Sequence, residues 1–245
     1  MISNYTIAVC DILGFSDLVK RRPLNTVVNS CVGWLRKSLY HSINKNDFPD
    51  DVPSLNELQN NRILGLAWFS DTILIYTLED TDKALTELLQ CLSWLLFETI
   101  IDGTTHLRCG ISYGEVWIDP TNSLFVGQPI IDAYQLEENQ IWSGGALTSQ
   151  AVERIPTSMR YYRYADWPIV QYKVPLKKGM KLDTLAIDWT IGLHPTPFEL
   201  QWSENSAEPT ADDWLNSPDV CEKWQNTREF HDTICRFCNP LKKQK

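Results

Sequence analysis

The stretch that most constrains the fold begins at residue 7. Residues 7–10 form a short apolar run, Ile-Ala-Val-Cys, with the length and composition of a buried β-strand. Asp11 follows directly, the chain turns at Gly14, and a polar stretch able to form a helix begins at Phe15. A carboxylate at a strand end can bind a cation, and the backbone N–H groups of a turn and helix start can face an anion. The pattern predicts a place where a metal ion and a phosphate are held together.

A second acid, Asp71, lies at the tip of a predicted hairpin. Residues 67–70 end one apolar strand, and residues 72–76 begin a β-branched strand. Two acids at strand ends can converge on one pair of cations although they are distant in sequence. Magnesium and manganese prefer oxygen ligands and often bind through one or two carboxylates plus substrate phosphates. For either acid alone, the alternative is a solvated turn residue.

Composition narrows the class of protein. The chain has 245 residues, 43% hydrophobic and 22% charged, which predicts one large domain or one domain with an elaborated tail. A net charge of −9 argues against non-specific binding to nucleic acid or to an anionic membrane, but a metal-bound nucleotide remains compatible. We expect no apolar run long enough to span a bilayer and no signal peptide. Seven cysteines, several in apolar runs, predict reduced thiols in a cytoplasmic protein.

The hydrophobic pattern predicts strands and helices in the order β-α-β-β-α-β-β-α, with further strands after them. This order favours a mixed sheet with two helices on one face, a ferredoxin-like α+β core. From about Gly192 the chain becomes an acidic tail rich in proline and tryptophan that ends in a helix. The predicted helices cover residues 25–41, 81–101, 129–139 and 217–237, an irregular loop covers 44–61, a strand, glycine turn and returning strand cover 106–117, and later strands cover 161–167, 170–174 and 185–189.

Four short motifs follow one another along residues 5–190. They are Asp11-Ile12-Leu13-Gly14-Phe15, then Ser70-Asp71, then Arg108-Cys109-Gly110-Ile111-Ser112-Tyr113-Gly114, and finally Gly127 with Ala133-Tyr134-Gln135-Leu136-Glu137. In order and spacing they resemble the class III nucleotidyl cyclases, which include adenylyl and guanylyl cyclases. The resemblance implies a class III cyclase catalytic domain over residues 1–190. Residues 191–245 would then be an irregular or helical C-terminal extension docked on the body or on a dimer partner.

Within that family, the chain looks most like the pyrimidine nucleotide cyclases of the Pycsar anti-phage system. Purine cyclases usually place a base-reading lysine where this chain has Ala67, and an Asn and an Arg where it has Ile131 and Gln135. The resemblance implies a uridylate cyclase that converts UTP to 3′,5′-cyclic UMP and diphosphate for antiviral defence. A cytidylate cyclase that makes cyclic CMP, and a catalytically silent nucleotide-binding module, are the alternatives.

The resemblance also implies a cofactor and a partner. Two Mn²⁺ or Mg²⁺ ions would be held by Asp11, Asp71 and the backbone carbonyl of Ile12. Sites would form at the interface of a homodimer that binds a nucleoside triphosphate, with neither nucleic acid nor membrane as a partner. The β- and γ-phosphates would lie against the backbone N–H groups of Leu13, Gly14, Phe15 and Ser16.

Several cationic residues have two interpretations. Arg108 is a candidate catalytic residue that contacts the base or a phosphate from the other copy, and it could equally be a salt-bridged arginine at a strand end. Purine cyclases take a positive charge from their arginine, and three lysines are candidates to supply it here: Lys173, Lys177 and Lys178. The alternative is that these are ordinary surface lysines.

A possible metal site lies near the C-terminus. The spacing of His231, Cys235 and Cys238 could suit zinc, but a tetrahedral site needs a fourth ligand and the nearby sequence offers none that is obvious. Helical periodicity places His231 and Cys235 on one face equally well. We therefore expect an ordinary helix here.

Overall fold

A mixed β-sheet forms the centre of the molecule. The computed structural model describes residues 2–45, 48–59, 63–102, 105–160, 167–193 and 218–238. The strand order is β2-β3-β1-β4-β6-β8-β7, with β5 paired to the end of β4. The β4–β6 pair is parallel, and the other pairs are antiparallel. The strands are β1 (Ile2–Ile12), β2 (Leu64–Phe69), β3 (Thr72–Thr77), β4 (Leu107–Asp119), β5 (Leu124–Val126), β6 (Gly144–Leu147), β7 (Ile169–Pro175) and β8 (Lys181–Ile187).

Helices connect and cover these strands. The first long helical stretch contains a π-helical turn, Val27–Val32, between α2 and α3. Short 3₁₀ turns cover Pro120–Asn122, Thr157–Met159, Lys177–Gly179 and Trp189–Leu193. The α-helices are α1 (Phe15–Arg21), α2 (Leu24–Thr26), α3 (Gly33–Asn44), α4 (Leu55–Gln59), α5 (Asp82–Asp102), α6 (Gln128–Asn139), α7 (Ser149–Arg154) and α8 (Pro218–Cys238).

The central strand β1 supplies apolar residues to both faces of the sheet. Ala8 and Cys10 belong to the main core with the leucines of α3 and α5, whereas Ile7 and Val9 pack with Ala133 of α6. The alternation follows from the two-residue period of a strand. The predicted α+β mixed sheet is confirmed, with one correction: α6 covers the face opposite α3 and α5, because β1 is apolar on both sides.

Strand β4 corrects the turn predicted within residues 106–117. The glycines at 110 and 114 do not reverse the chain, because β1 pairs with β4 from Ile2↔Trp117 to Ile12↔Leu107. Gly110 instead allows a close approach: a Cβ there would lie 2.0 Å from the carbonyl oxygen of Ala133 in α6. The returning strand is β5, beyond the turn Pro120–Asn122.

Helix α5 is the one described helix that is long and apolar enough, by length and composition, to cross a membrane. Its segment Asp82–Ile101 has a mean hydropathy of 1.4, so the expectation that no apolar run reaches this length is corrected. However, 61% of the qualifying window is buried inside the fold. Leu88, Leu92 and Leu95 are fully buried in the main core. These contacts account for the hydropathy of α5 as that of a core helix.

The C-terminal helix α8 packs on the body through an aromatic cluster. Phe230 is fully buried, with its ring centroid 4.9 Å from Trp142, 4.8 Å from Tyr172 and 5.9 Å from Trp189. His231 stacks on Trp189 at 5.9 Å. The zinc interpretation involved residues 235 and 238, whose side chains are outside the described part of the structure. Residues 161–166 of a predicted strand and residues 194–217 of the tail also lie outside it.

Candidate active site

The fold brings Asp11 and Asp71 to the same end of the sheet. Asp11 pairs with Thr72 across β1 and β3, so Asp71 lies one residue beyond this pair at the hairpin tip. The backbone N–H of Ile12 donates to the carbonyl oxygen of Asp71 at 3.1 Å. The charge of Asp71 contributes to raising the pKa of Asp11, which places the two carboxylates within electrostatic reach.

On the other side of β1, Arg108 pairs in register with Asp11. Its Nη2 lies 3.6 Å from Oδ2 of Asp11, and its Nε donates to Oε1 of Glu137 at 2.5 Å. Nη1 donates to the carbonyl oxygen of Gln140 at 2.8 Å. The guanidinium therefore has the geometry of a salt-bridged strand-end arginine within one chain. A role for Arg108 in a reaction remains a proposal.

The two carboxylates beside Arg108 have raised pKa values. Burial raises the pKa of Asp11 to about 6; Arg108 opposes this increase, Asp71 adds to it, and Lys223 opposes it. Burial also raises the pKa of Glu137 to about 7, against the attraction of Arg108 and with the repulsion of Asp11. A buried and a partly buried carboxylate share one guanidinium, so the ionisation of one disfavours the ionisation of the other.

The turn after β1 has the backbone that its glycine predicts. Gly14 has φ 75°, in the left-handed region, and its carbonyl accepts from the N–H groups of Asp17 and Leu18 at the start of α1. The N–H of Leu13 is donated to the carbonyl of His106 at 2.9 Å. In this conformation Leu13 cannot donate that N–H to a phosphate. The backbone donors predicted to contact the phosphates are therefore those of Gly14, Phe15 and Ser16.

The residues that could hold a metal ion at this end of the sheet are two acids. Within the described part of the chain, no group of three or more His, Cys, Asp or Glu side chains has the proximity of a metal site. Asp11 and Asp71 offer hard oxygen donors whose mutual repulsion a divalent cation would relieve, so they fit magnesium or manganese. Backbone carbonyls, water and phosphate oxygens would have to complete the coordination.

Of the three lysines proposed from the sequence as sources of positive charge, two line a cleft next to Arg108 and one does not. Lys177 and Lys178, in the turn between β7 and β8, line a cleft of about 420 Å³ beside Arg108. Lys173 is exposed on β7 and does not line it. The far side of the cleft is formed by Lys223 of α8, a residue that sequence analysis missed. No motif identifies Lys223, because its position depends on where α8 docks.

Comparisons with known proteins agree with this architecture. The guanylyl cyclase domain of the RhoGC fusion protein from the aquatic fungus Blastocladiella emersonii matches with a TM-score of 0.50 and 14% identity, over 76% of this chain and 97% of that domain. The chain has the class III nucleotidyl cyclase fold. At this identity the likeness concerns the fold alone.

Two further solved structures have lower scores. An adenylate/guanylate cyclase/hydrolase from Silicibacter pomeroyi matches with a TM-score of 0.48 and 14% identity, over 76% of this chain and 96% of that one. A bacterial light-regulated adenylyl cyclase matches with a TM-score of 0.47 and 14% identity over 77% of this chain, which spans 53% of that protein. No protein-family model and no curated protein matches the sequence.

Proposed function

We propose that the chain is a nucleotidyl cyclase that converts UTP to 3′,5′-cyclic UMP and diphosphate. The observation that carries the proposal is the position of Asp11 and Asp71 at adjoining strand ends in a class III cyclase fold. The two acids would hold two Mn²⁺ or Mg²⁺ ions, with the Ile12 carbonyl as a further ligand. When bound, such ions lower the pKa of the ribose 3′-hydroxyl and neutralise the triphosphate.

The residues around the turn would bind and orient the nucleotide. The N–H groups of Gly14, Phe15 and Ser16 lie at the start of α1, where backbone donors face an anion. Gly14 has no Cβ, so a phosphate can approach the backbone closely. Arg108, next to Asp11, adds a cation at the same end of the sheet.

The preference for a pyrimidine rests on three positions. Ala67 on β2 carries no group that could read a purine, and Ile131 and Gln135 on α6 offer no cationic group. Resemblance to the Pycsar cyclases assigns the product as a second messenger of anti-phage defence. A cytidylate cyclase that makes cyclic CMP has the same residues in support. We further propose a homodimer with sites at its interface and a cytoplasmic location.

A direct assay tests the proposed reaction. The purified chain is incubated with manganese and, separately, with each of the four ribonucleoside triphosphates, and the cyclic product and pyrophosphate are quantified. We expect cyclic UMP from UTP, and its loss in Asp71→Ala. The matched control is Asp183→Asn, an exposed acid on β8, which should leave the rate unchanged. Cyclic AMP as the main product would refute the pyrimidine assignment.

One observation favours a silent nucleotide-binding module as the second candidate. Arg108 lies 3.6 Å from Asp11, so a guanidinium already neutralises part of the charge that a metal would meet. If this pairing persists, nucleotide binds without turnover. Binding of a triphosphate without pyrophosphate release from any of the four substrates would support the module and refute the enzyme.

A further inference from the structure

The cleft beside Arg108 lies between two parts of the chain that are distant in sequence. One wall is the turn between β7 and β8, with Lys177 and Lys178, and the other is the first part of α8, with Glu222 and Lys223. Arg108 and Ile141 complete the lining. The lining thus holds four cationic side chains and one carboxylate, although the whole chain has a net charge of −9. Positive charge concentrated in a concave site on an acidic protein favours an anionic ligand.

Helix α8 is anchored so that Lys223 faces this cleft. Thr227 and Phe230 are fully buried and Ile234 is 1% exposed, so they form the packed face of the helix, and Lys223 occupies the same face one turn before Thr227. The N–H of Ser143 donates to Oγ1 of Thr227 at 2.8 Å. These contacts hold the helix where β4 and β6 begin.

Two more contacts of α8 fix its first turns against the same strand ends. Nδ2 of Asn226 donates to the carbonyl of Ile141 at 2.8 Å. The ring of Trp224 packs edge-on against His106 at 4.2 Å, and the carbonyl of His106 accepts the backbone N–H of Leu13 in the β1–α1 turn. The helix is therefore connected through His106 to the turn proposed to hold phosphates. Lys223 lies close enough to Asp11 for its charge to lower the pKa of that carboxyl.

The geometry points to a polyphosphate site in this cleft, in which Lys223 of α8 and Lys178 of the β7–β8 turn bind the phosphates of the nucleotide beside Asp11 of the same chain. These two lysines line the cleft from α8 and from the β7–β8 turn, and Arg108, which also lines it, pairs with Asp11 and Glu137. The identity of the ligand rests on the proposed cyclase function. The presence of the cationic cleft does not depend on that function.

This assignment gives the C-terminal helix a role in the site. A polyphosphate carries several negative charges in a short length, and two ammonium groups that line one cleft can contact separate phosphates. Orthophosphate carries fewer negative charges and fewer oxygens, so it can make fewer of these contacts at once. Removal of one ammonium should therefore weaken a polyphosphate more than a single phosphate.

Binding of inorganic pyrophosphate tests the cleft without relying on catalysis. Isothermal titration calorimetry is performed on the full chain in buffer with EDTA and no divalent metal. We expect the wild type to bind pyrophosphate, and Lys223→Gln and Lys178→Gln each to weaken binding about tenfold, which corresponds to one lost charge-assisted contact. Lys223→Arg keeps the positive charge and should retain most of the affinity. Added salt should weaken wild-type binding.

The matched control is Lys181→Gln, an exposed lysine at the start of β8 that does not line the cleft, and its affinity should equal that of the wild type. Thermal unfolding of each variant shows whether α8 remains packed. Absence of pyrophosphate binding by the wild type, unchanged affinity in folded Lys223→Gln, or equal affinity for orthophosphate and pyrophosphate would overturn the inference. Failure of the cyclase assay with retained, Lys223-dependent pyrophosphate binding would refute the proposed reaction and leave the polyphosphate site standing.

Discussion

Arg108 contacts one buried carboxylate, Glu137, and one partly buried carboxylate, Asp11, and the electrostatics of the site follow from this arrangement. Its side chain is 10% exposed, that of Glu137 is 3% exposed and that of Asp11 is 25% exposed. Removing the arginine would leave two like charges in a poorly solvated place, which is costly. The pair Arg108–Glu137 ties β4 to α6, and the contact with Asp11 connects both to the candidate metal site.

The raised pKa of Asp11 makes cation binding dependent on pH. A protonated carboxyl does not ligate a metal, so affinity for Mn²⁺ should be full above about pH 6 and should fall as the pH drops through that value. The limiting slope is about tenfold per pH unit for one proton. Free Mn²⁺ measured by electron paramagnetic resonance between pH 5 and 8 reports the change.

Two variants control this titration. Asp11→Asn should bind Mn²⁺ weakly at every pH, whereas Glu115→Gln, an exposed acid elsewhere on β4, should keep the wild-type profile. An affinity in the wild type that does not change between pH 5 and 8 would contradict the assignment of Asp11 as a ligand.

Glu137 should make folding stability fall as the pH rises. Its pKa is about 7 in the folded chain against an ordinary value of 4.5, so the folded state holds the proton more tightly than the unfolded chain does. Stability from this group is present below about pH 4.5 and is lost progressively as the pH rises to about 7. The change is on the order of 3 kcal/mol.

Glu137→Gln removes this titration while its amide oxygen can still accept from Arg108. The difference in free energy of unfolding between the Glu137→Gln variant and the wild type should therefore grow in favour of the variant from pH 4.5 to 7, as measured by urea denaturation. Exposed Glu153→Gln on α7 is the control, because Glu153 is not among the charges that shift the pKa of Glu137. Parallel stability curves for wild type and Glu137→Gln would show that folding leaves the pKa of Glu137 unchanged.

At the scale of elements, the contact between β4 and α6 depends on a missing side chain. A Cβ at position 110 would meet the backbone of α6, which cannot move aside as a flexible side chain could. The same helix carries Glu137, so its distance from the sheet also sets the geometry around Arg108.

Gly110→Ala should lower the free energy of unfolding by about 3 kcal/mol, the upper part of the range for overpacked cores. Gly33→Ala is the control, because Gly33 has helical φ and ψ and its nearest contact would be 3.3 Å away. That change should alter stability by about 1 kcal/mol or less. Equal effects of the two substitutions in urea denaturation would disprove the close approach.

At the scale of the whole molecule, several apolar residues on α6 and β5 are exposed in the described part of the chain. Ile131 and Tyr134 on α6 are each 49% exposed, and Leu124 and Val126 on β5 are 48% and 61% exposed. Apolar groups gathered on neighbouring elements are typical of an interaction surface. They adjoin the region expected to face the second copy of a homodimer.

We expect Ile131→Asp to dissociate this homodimer and to abolish cyclase activity together with it, because an interfacial site needs both copies. Light scattering after size exclusion measures the mass, with Val28→Asp as the control, since Val28 is 48% exposed on the opposite helical layer. A wild-type mass of 28.2 kDa at micromolar concentration would contradict the homodimer.

Element types with a strong period were predictable from the sequence. The leucines of α5 are a local pattern, so this helix appears within one residue of its predicted limits. The apolar run at residues 7–10 predicted β1 but not its length, because pairing with β4 extends the strand from Ile2 to Ile12. Strand β6 was missed, because Gly144 and Gly145 suggest a loop. They form a strand because they pair with residues 108 and 109 of β4. The packing there leaves little room for side chains, since a Cβ would lie 2.8 Å from the ring of Trp142 at position 144 and 2.9 Å from Ile187 at position 145. Such contacts do not appear in local sequence.

The sequence by itself determined the candidate acids Asp11 and Asp71 and the glycine turn between Asp11 and helix α1. Each of these features depends on residues that are neighbours in the chain. Tertiary structure alone decided which groups meet them. The register of β1 and β4 places Arg108 beside Asp11, the packing of α6 brings Glu137 to the same guanidinium, and the docking of α8 brings in Lys223. Each contact joins residues far apart along the chain, and therefore depends on how whole elements pack.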